Sequence, residues 1–181
     1  LEGDAIMDNP QATDYELLAQ QVGSLAEGTP GWLPAFANAA ALLGESLSDI
    51  NWVGFYVAVA GPTGKQDLVL GPFWGRPACV SIPYGAGVCG RAVETNEPQI
   101  VPDVHAFPGH IACDAASRSE LVVPIDVTAA DGSTTVWGVL DCDSPVPARF
   151  SAADLDGFAL IVRALEKFAD LVNPAVRPAR S

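Results

Sequence analysis

Positive charge is scarce in this chain. Nine lysines and arginines stand against 22 aspartates and glutamates, a formal net charge of −13. A nucleic-acid binder carries a basic face, so that class of function is disfavoured, and an anionic membrane surface is an equally poor partner. Charged residues make up only 17% of the chain against 49% hydrophobic, a balance for a folded core rather than a disordered chain. No apolar run approaches the roughly 18 residues that a membrane span requires. The first stretch, LEGDAIMDNPQATD, lacks the basic start and apolar centre of a signal peptide. A cytoplasmic location is therefore expected, where thiols stay mostly reduced and the four cysteines are catalytic, redox-active or structural rather than permanent disulfides. The sequence contains no C-x₂₋₄-C pair, no internal repeat and no low-complexity tract.

The 181 residues favour one domain. Residues 1–12, which include the sole methionine, Met7, are expected to be a disordered or appended segment; 13–173 form the domain and 174–181 a frayed tail. Thr13 followed by Glu16 reads as a capping box, opening a helix whose apolar face is Tyr15, Leu18, Val22 and Leu25. A second, alanine-rich helix is expected from Pro34. NWVGFYVAVA and DLVLGPF read as a hairpin about Gly61–Gly64, and ACVSIPYG as a third extended piece. A short helix follows the glycine-rich GAGVCG, then a short strand in QIVPDV. SELVVPIDV and TTVWGVLDCDS form a second hairpin about residues 129–132. The last helix starts at Ser151, with Leu155, Phe158, Ile161, Val162, Leu165 and Phe168 inward. Hairpins imply an antiparallel sheet; with flanking helices the fold class is α+β, a central sheet of about six strands between N- and C-terminal helices.

Three constellations could carry chemistry. Cys79, Cys89 and Cys113 lie near turns. A free cysteine is most often a small buried apolar residue, but loops collect reactive groups. HAFPGH offers H-x₄-H shortly before Cys113, yet without a close cysteine pair it makes a poor structural zinc site. YGAGVCG is not followed by Lys-Ser/Thr, so it is not a phosphate loop of the Walker kind. Asp141 and Asp143 stand two apart on a strand and share a face. Two like charges on one face cost energy unless they meet a cation or hold a proton. Glu120 can join them, and three acids suit an ammonium group. Trp52 and Tyr56, four apart, share a face with Gly54 between them; they form either core packing or a wall for a small apolar group or cation. By the same alternation Cys142 faces away from the acids, toward a helix.

The stretches NWVGFYV, LVLGPFWGRPACVSIPYGAGVCGRA, VPDVHAFPGHIACDAASRSELVVPI and WGVLDCDS, within residues 51–144, resemble the free methionine-(R)-sulfoxide reductases, which are single GAF domains. Cys142, where an aliphatic residue is usual, and Trp74 depart from that pattern. The resemblance implies a GAF sheet flanked by helices, free L-methionine (R)-sulfoxide as substrate, thioredoxin as reductant, no metal or nucleotide cofactor, and a homodimer as the family-level expectation. It maps the family's cysteines onto Cys79, Cys89 and Cys113, and its substrate-site residues onto Trp52, Tyr56, Glu120, Asp141 and Asp143. Cys113 would attack the sulfoxide sulfur as thiolate. Glu120 or Asp143, with a raised pKa, would protonate the oxygen. The sulfenic acid on Cys113 would condense with Cys89 or Cys79, and thioredoxin would reduce the disulfide. His105 and His110 would shape the loop. The competing reading is a sensory GAF module that binds a small ligand and does no chemistry.

Overall fold

The structure, a computed structural model, describes residues 13–111 and 114–169. The expected N-terminal segment 1–12, the tail 174–181 and Cys113 lie outside the described residues. Helices α1 (Tyr15–Ala26) and α2 (Trp32–Ser46) precede the hairpin of β1 (Trp52–Ala60) and β2 (Gln66–Gly75). Then come β3 (Ser81–Ile82), α3 (Gly87–Thr95), β4 (Gln99–Val101) and a 3-10 turn (Val104–Ala106). The second hairpin, β5 (Ser119–Thr128) and β6 (Thr134–Ser144), leads to α4 (Ala152–Glu166). The six strands form one antiparallel sheet in the order β3-β2-β1-β6-β5-β4, so β1 and β6, the first and last in sequence, pair at its centre. Among the described residues no helix is long and apolar enough to cross a membrane.

Strand alternation divides the core in two. Val53, Phe55 and Val57 of β1, Leu121, Val123 and Ile125 of β5, and Leu140 and Cys142 of β6 pack against α1, α2 and α4. Trp52, Tyr56, Val122 and Val139 face the other way, toward α3. One irregularity interrupts this. Ile125 pairs with Gly138 but Asp126 with Val136, so Trp137 is an extra residue in β6. This bulge turns Trp137 into the helix layer, where it meets Trp32 at 5.1 Å and Phe36 at 4.8 Å between ring centroids.

The helix starts differ from the sequence expectation. The N-cap of α1 is Asp14, whose Oδ1 accepts from the Leu17 N–H at 2.9 Å. Glu16 is then the second helical residue and Leu17 the third, so the Thr13–Glu16 pair does not form a capping box. The inward face is Leu18, Val22 and Ala26, in steps of four, while Leu25 is 45% exposed. Tyr15 explains the rotation. Its ring packs edge-on against Phe158 and lies over Gly157, where a Cβ would come within 2.1 Å of the ring, and its hydroxyl donates to Asp154 Oδ1 at 2.6 Å. Helix α2 begins two residues before Pro34, at Trp32, because that ring must dock on Phe36 and Trp137. Proline is tolerated there because the first-turn N–H groups have no partner within a helix. Helix α4 opens at Ser151, with a full capping box to Asp154.

Cys142 is fully buried in the helix-side core, and burial, then the nearby Asp143 and Asp141, push its thiol well above the ordinary range. Cys142→Ala is expected to cost about 1 kcal/mol, the effect of a small cavity, in urea unfolding, and to leave the thiol chemistry of the opposite face unchanged. A loss above about 3 kcal/mol, or loss of that chemistry, would contradict the two-sided reading of β6.

Candidate active site

The pocket grows out of the sheet register. Trp52 pairs with Asp143 and Gly54 with Asp141 across β1 and β6; Glu120 pairs with Asp143 across β5 and β6. Trp52, Asp143 and Glu120 therefore form one row over three strands, with Asp141 in the next row on the same face. Helix α3 crosses above and lowers Cys89 onto the acids, its Sγ 3.9 Å from Glu120 Oε1. The pocket between them has about 530 Å³ of empty space, part of it open to solvent. His110, Ile111, Asp114 and Ser117 complete its wall, and His105 is not part of it.

One side is aromatic. Trp52 stacks on Tyr56 at 5.8 Å and on Phe73 at 5.5 Å. Gly54 permits this: a Cβ there would come within 2.8 Å of the Trp52 ring and 2.4 Å of Phe73 Cβ. The polar ends of the same rings hold the segment after β2. Trp52 Nε1 donates to the Arg76 carbonyl at 3.2 Å and the Tyr56 hydroxyl to the Cys79 carbonyl at 3.0 Å. Cys79, half-buried, is joined in a disulfide, whereas Cys89 and Cys142 are free thiols.

The other side is acidic and lacks a cation. Glu120 is 6% and Asp141 5% exposed, and among the described residues no ion pair involves either acid or Asp143. Asp141 Oδ1 is buried with no hydrogen-bond partner among them. Burial, then Asp141 and Asp143, raise Glu120 well above the carboxylate range. Burial lifts Asp141 to about 7, against hydrogen bonds with Cys89 and Glu120 that oppose the shift. Asp143 is raised by burial, then by Asp141 and Asp114. Each carboxyl therefore keeps its proton to a higher pH than an ordinary carboxylic acid. Cys89, raised by burial and then by Asp141 and Glu120, is a neutral thiol and a poor nucleophile. His110 is lowered, first by burial and then by His105.

The structure thus brings together Trp52, Tyr56, Cys89, Glu120, Asp141 and Asp143, with Cys79 behind Tyr56. It adds a clamp that sequence reasoning missed. Asn51 Nδ2 donates to Asp114 Oδ2 at 3.2 Å and Ser117 Oγ at 3.1 Å, and Asp114 Oδ1 caps the Ala116 N–H at 2.9 Å. The clamp ties the residues that follow Cys113 to the start of β1. Asn51 beside Trp52, and the aspartate directly after a cysteine, were the available signals.

Carboxyls raised on folding destabilise the empty protein above their unfolded pKa. Their contribution is favourable in acid and is lost as the pH climbs through the folded value, a window from about 4 to 7 for Asp141, with Glu120 and Asp143 shifted in the same direction. Asp143→Asn is expected to leave the melting temperature nearly level at pH 3.5 and raise it at pH 8. Calorimetry of both proteins at both pH values decides; a lower melting temperature at pH 8 would show that Asp143 is structural.

The GAF domain family model matches residues 33–176. The Escherichia coli protein named free methionine-R-sulfoxide reductase is 48% identical over 153 residues, which cover 84% of this chain and 87% of that one. Among solved structures, the reduced form of Staphylococcus aureus fRMsr superposes with a TM-score of 0.78 at 46% identity, covering 88% of this chain and 97% of that one. The free methionine-R-sulfoxide reductase of Neisseria meningitidis in complex with its substrate gives 0.74 at 40% identity, covering 84% and 86%. A six-stranded antiparallel sheet between helices, a pocket of acids facing stacked aromatics and this degree of identity agree: the chain belongs to the GAF-domain family of free methionine-(R)-sulfoxide reductases.

Proposed function

We propose that the chain reduces free L-methionine (R)-sulfoxide to methionine, with Cys113 as nucleophile and thioredoxin as the source of electrons, in the cytoplasm. The observation that carries the substrate reading is the set of buried acids without a cation, opposite an aromatic wall. An α-ammonium supplies the missing charge, and the stacked Trp52 and Tyr56 take the S-methyl group.

The reaction transfers one oxygen and two electrons. The Cys113 thiolate attacks the sulfoxide sulfur, and a protonated acid, Glu120 or Asp143, gives its proton to the oxygen as negative charge develops there. As the sulfur–oxygen bond of the adduct breaks, that oxygen bonds to Cys113 Sγ and the transient sulfur–sulfur bond opens, so methionine departs with two more electrons and Cys113 is left as sulfenic acid. A second thiol then displaces that oxygen as water and closes a disulfide. Cys79 suits this step better than Cys89: it already takes part in a disulfide, whereas Cys89 is a buried, protonated thiol. A dithiol of thioredoxin opens the disulfide by exchange and restores both thiols. The Asn51 clamp holds the chain after Cys113 in register with Trp52.

The test is turnover of free methionine sulfoxide with thioredoxin, thioredoxin reductase and NADPH. One methionine should appear for each NADPH consumed. Cys113→Ser should fall to background with its fold intact, because a serine hydroxyl is far too weak an acid to replace the thiolate; activity near wild type would move the nucleophile elsewhere.

N-acetyl-methionine sulfoxide lacks the ammonium and would leave the acids unpaired. Breaking a buried charge pair on one side costs roughly 3–5 kcal/mol, so kcat/KM should drop by about two to four orders of magnitude. Equal rates on the free and acetylated forms would refute ammonium recognition by the acids.

A further inference from the structure

The base of the pocket carries a donor set that the reduction does not use as a set. A sulfur of Cys89, an oxygen of Glu120 and an oxygen of Asp141 lie within 4.8 Å of one another, and all three residues are buried. They come from three elements, α3, β5 and β6, so their spacing is set by the packing of the helix on the sheet rather than by one flexible loop. A second, separate observation points to a missing ligand. Asp141 is 5% exposed, and its Oδ1 is buried with no hydrogen-bond partner among the described residues. Asp141 lines the cavity, so a ligand there reaches it from the open side.

The donor types select the ligand. One thiol with two carboxylates suits a thiophilic divalent ion that accepts mixed sulfur and oxygen ligands in a tetrahedron. Metal–sulfur distances of about 2.3 Å and metal–oxygen distances of about 2.0 Å give a sulfur–oxygen edge of roughly 3.5 Å. The Cys89 Sγ to Glu120 Oε1 separation is 3.9 Å, a few tenths of an ångström away. Magnesium and calcium prefer six or more oxygen ligands and fit a thiol poorly. Three protein donors leave the fourth position to water on the cavity side. The bound ion takes the protons' place: the thiol and any protonated carboxyl release H⁺ to solvent as the metal–ligand bonds form, so binding strengthens with rising pH.

We propose that Cys89, Glu120 and Asp141 form a binding site for a divalent cation of the zinc class, and that its occupancy shuts the substrate out of the pocket. The two cannot coexist, because the ion and the substrate's ammonium need the same acids. Metal binding follows from the donor geometry alone; the competition rests on the proposed substrate.

Cadmium is the probe, because a cadmium–thiolate bond produces an ultraviolet charge-transfer band. It is titrated into the disulfide form of the protein, free of reductant and chelating buffer. The band should saturate at one ion per chain, vanish in Cys89→Ala and persist in Cys142→Ala. Asp141→Asn should weaken binding at least tenfold, and near-ultraviolet circular dichroism confirms that each variant is folded. Absence of a band in the wild type, or a band that survives Cys89→Ala, overturns the site. Free methionine sulfoxide should raise the apparent cadmium dissociation constant at least tenfold, while the N-acetyl form should not. A Cys89-dependent band that the sulfoxide does not affect would leave the metal site standing and overturn the competition together with the substrate reading beneath it.

Discussion

Strand β6 is covered on both faces, and its register is the constraint on which the site depends. Leu140 and Cys142 complete the core under the helices, so Asp141 and Asp143 have no choice but to face the cavity. A slip of one residue would exchange the two sets and place two carboxylates among Phe36, Phe55 and Phe158. The apolar helix side thus fixes the acids more firmly than any contact of their own. It tolerates cysteine at 142 for the same reason: only size and polarity are read there. The bulge at Trp137 belongs to this arrangement, since it adds a large ring to the helix layer while Val136 and Val139 keep to the opposite side.

The acids held in this way are unfavourable in the empty protein. Glu120 and Asp141 are buried, no cationic side chain among the described residues pairs with the three acids, and Asp141 raises both Glu120 and Asp143. Protonation relieves part of that cost, and a cationic ligand relieves more. The same environment favours the protonated form of these carboxyls. Stability lost at such a site is a common accompaniment of function.

The thiols are differentiated by environment more than by sequence context. Cys142 is packed in an apolar core. Cys89 lies against two carboxylates at the end of a helix whose packing sets its distance to Glu120. Cys79 sits on a segment tied to the aromatic wall by the Trp52 and Tyr56 hydrogen bonds, so the rings that line the pocket also position a cysteine. A change in that wall is therefore a change in the disulfide's surroundings as well.

Local chemistry was legible in the amino-acid order. The two hairpins, the helix opened by Ser151, the shared face of Asp141 and Asp143, and that of Trp52 and Tyr56 all follow from turn residues and a period of two, which need only neighbours along the chain. The start of α1, the burial of Ala26 in place of Leu25, and the start of α2 at Trp32 did not follow, because Tyr15 and Trp32 answer to partners more than a hundred residues away, Asp154 and Trp137. The pocket itself is of this second kind. That Glu120 stands in one row with Asp143 and Trp52, that Cys89 lies over Glu120, and that Asn51 clamps Asp114 and Ser117 depend on β1 pairing with β6 and on α3 crossing the sheet. Strand order across a sheet is decided by the burial of both faces at once, a property of the folded whole that no single segment encodes.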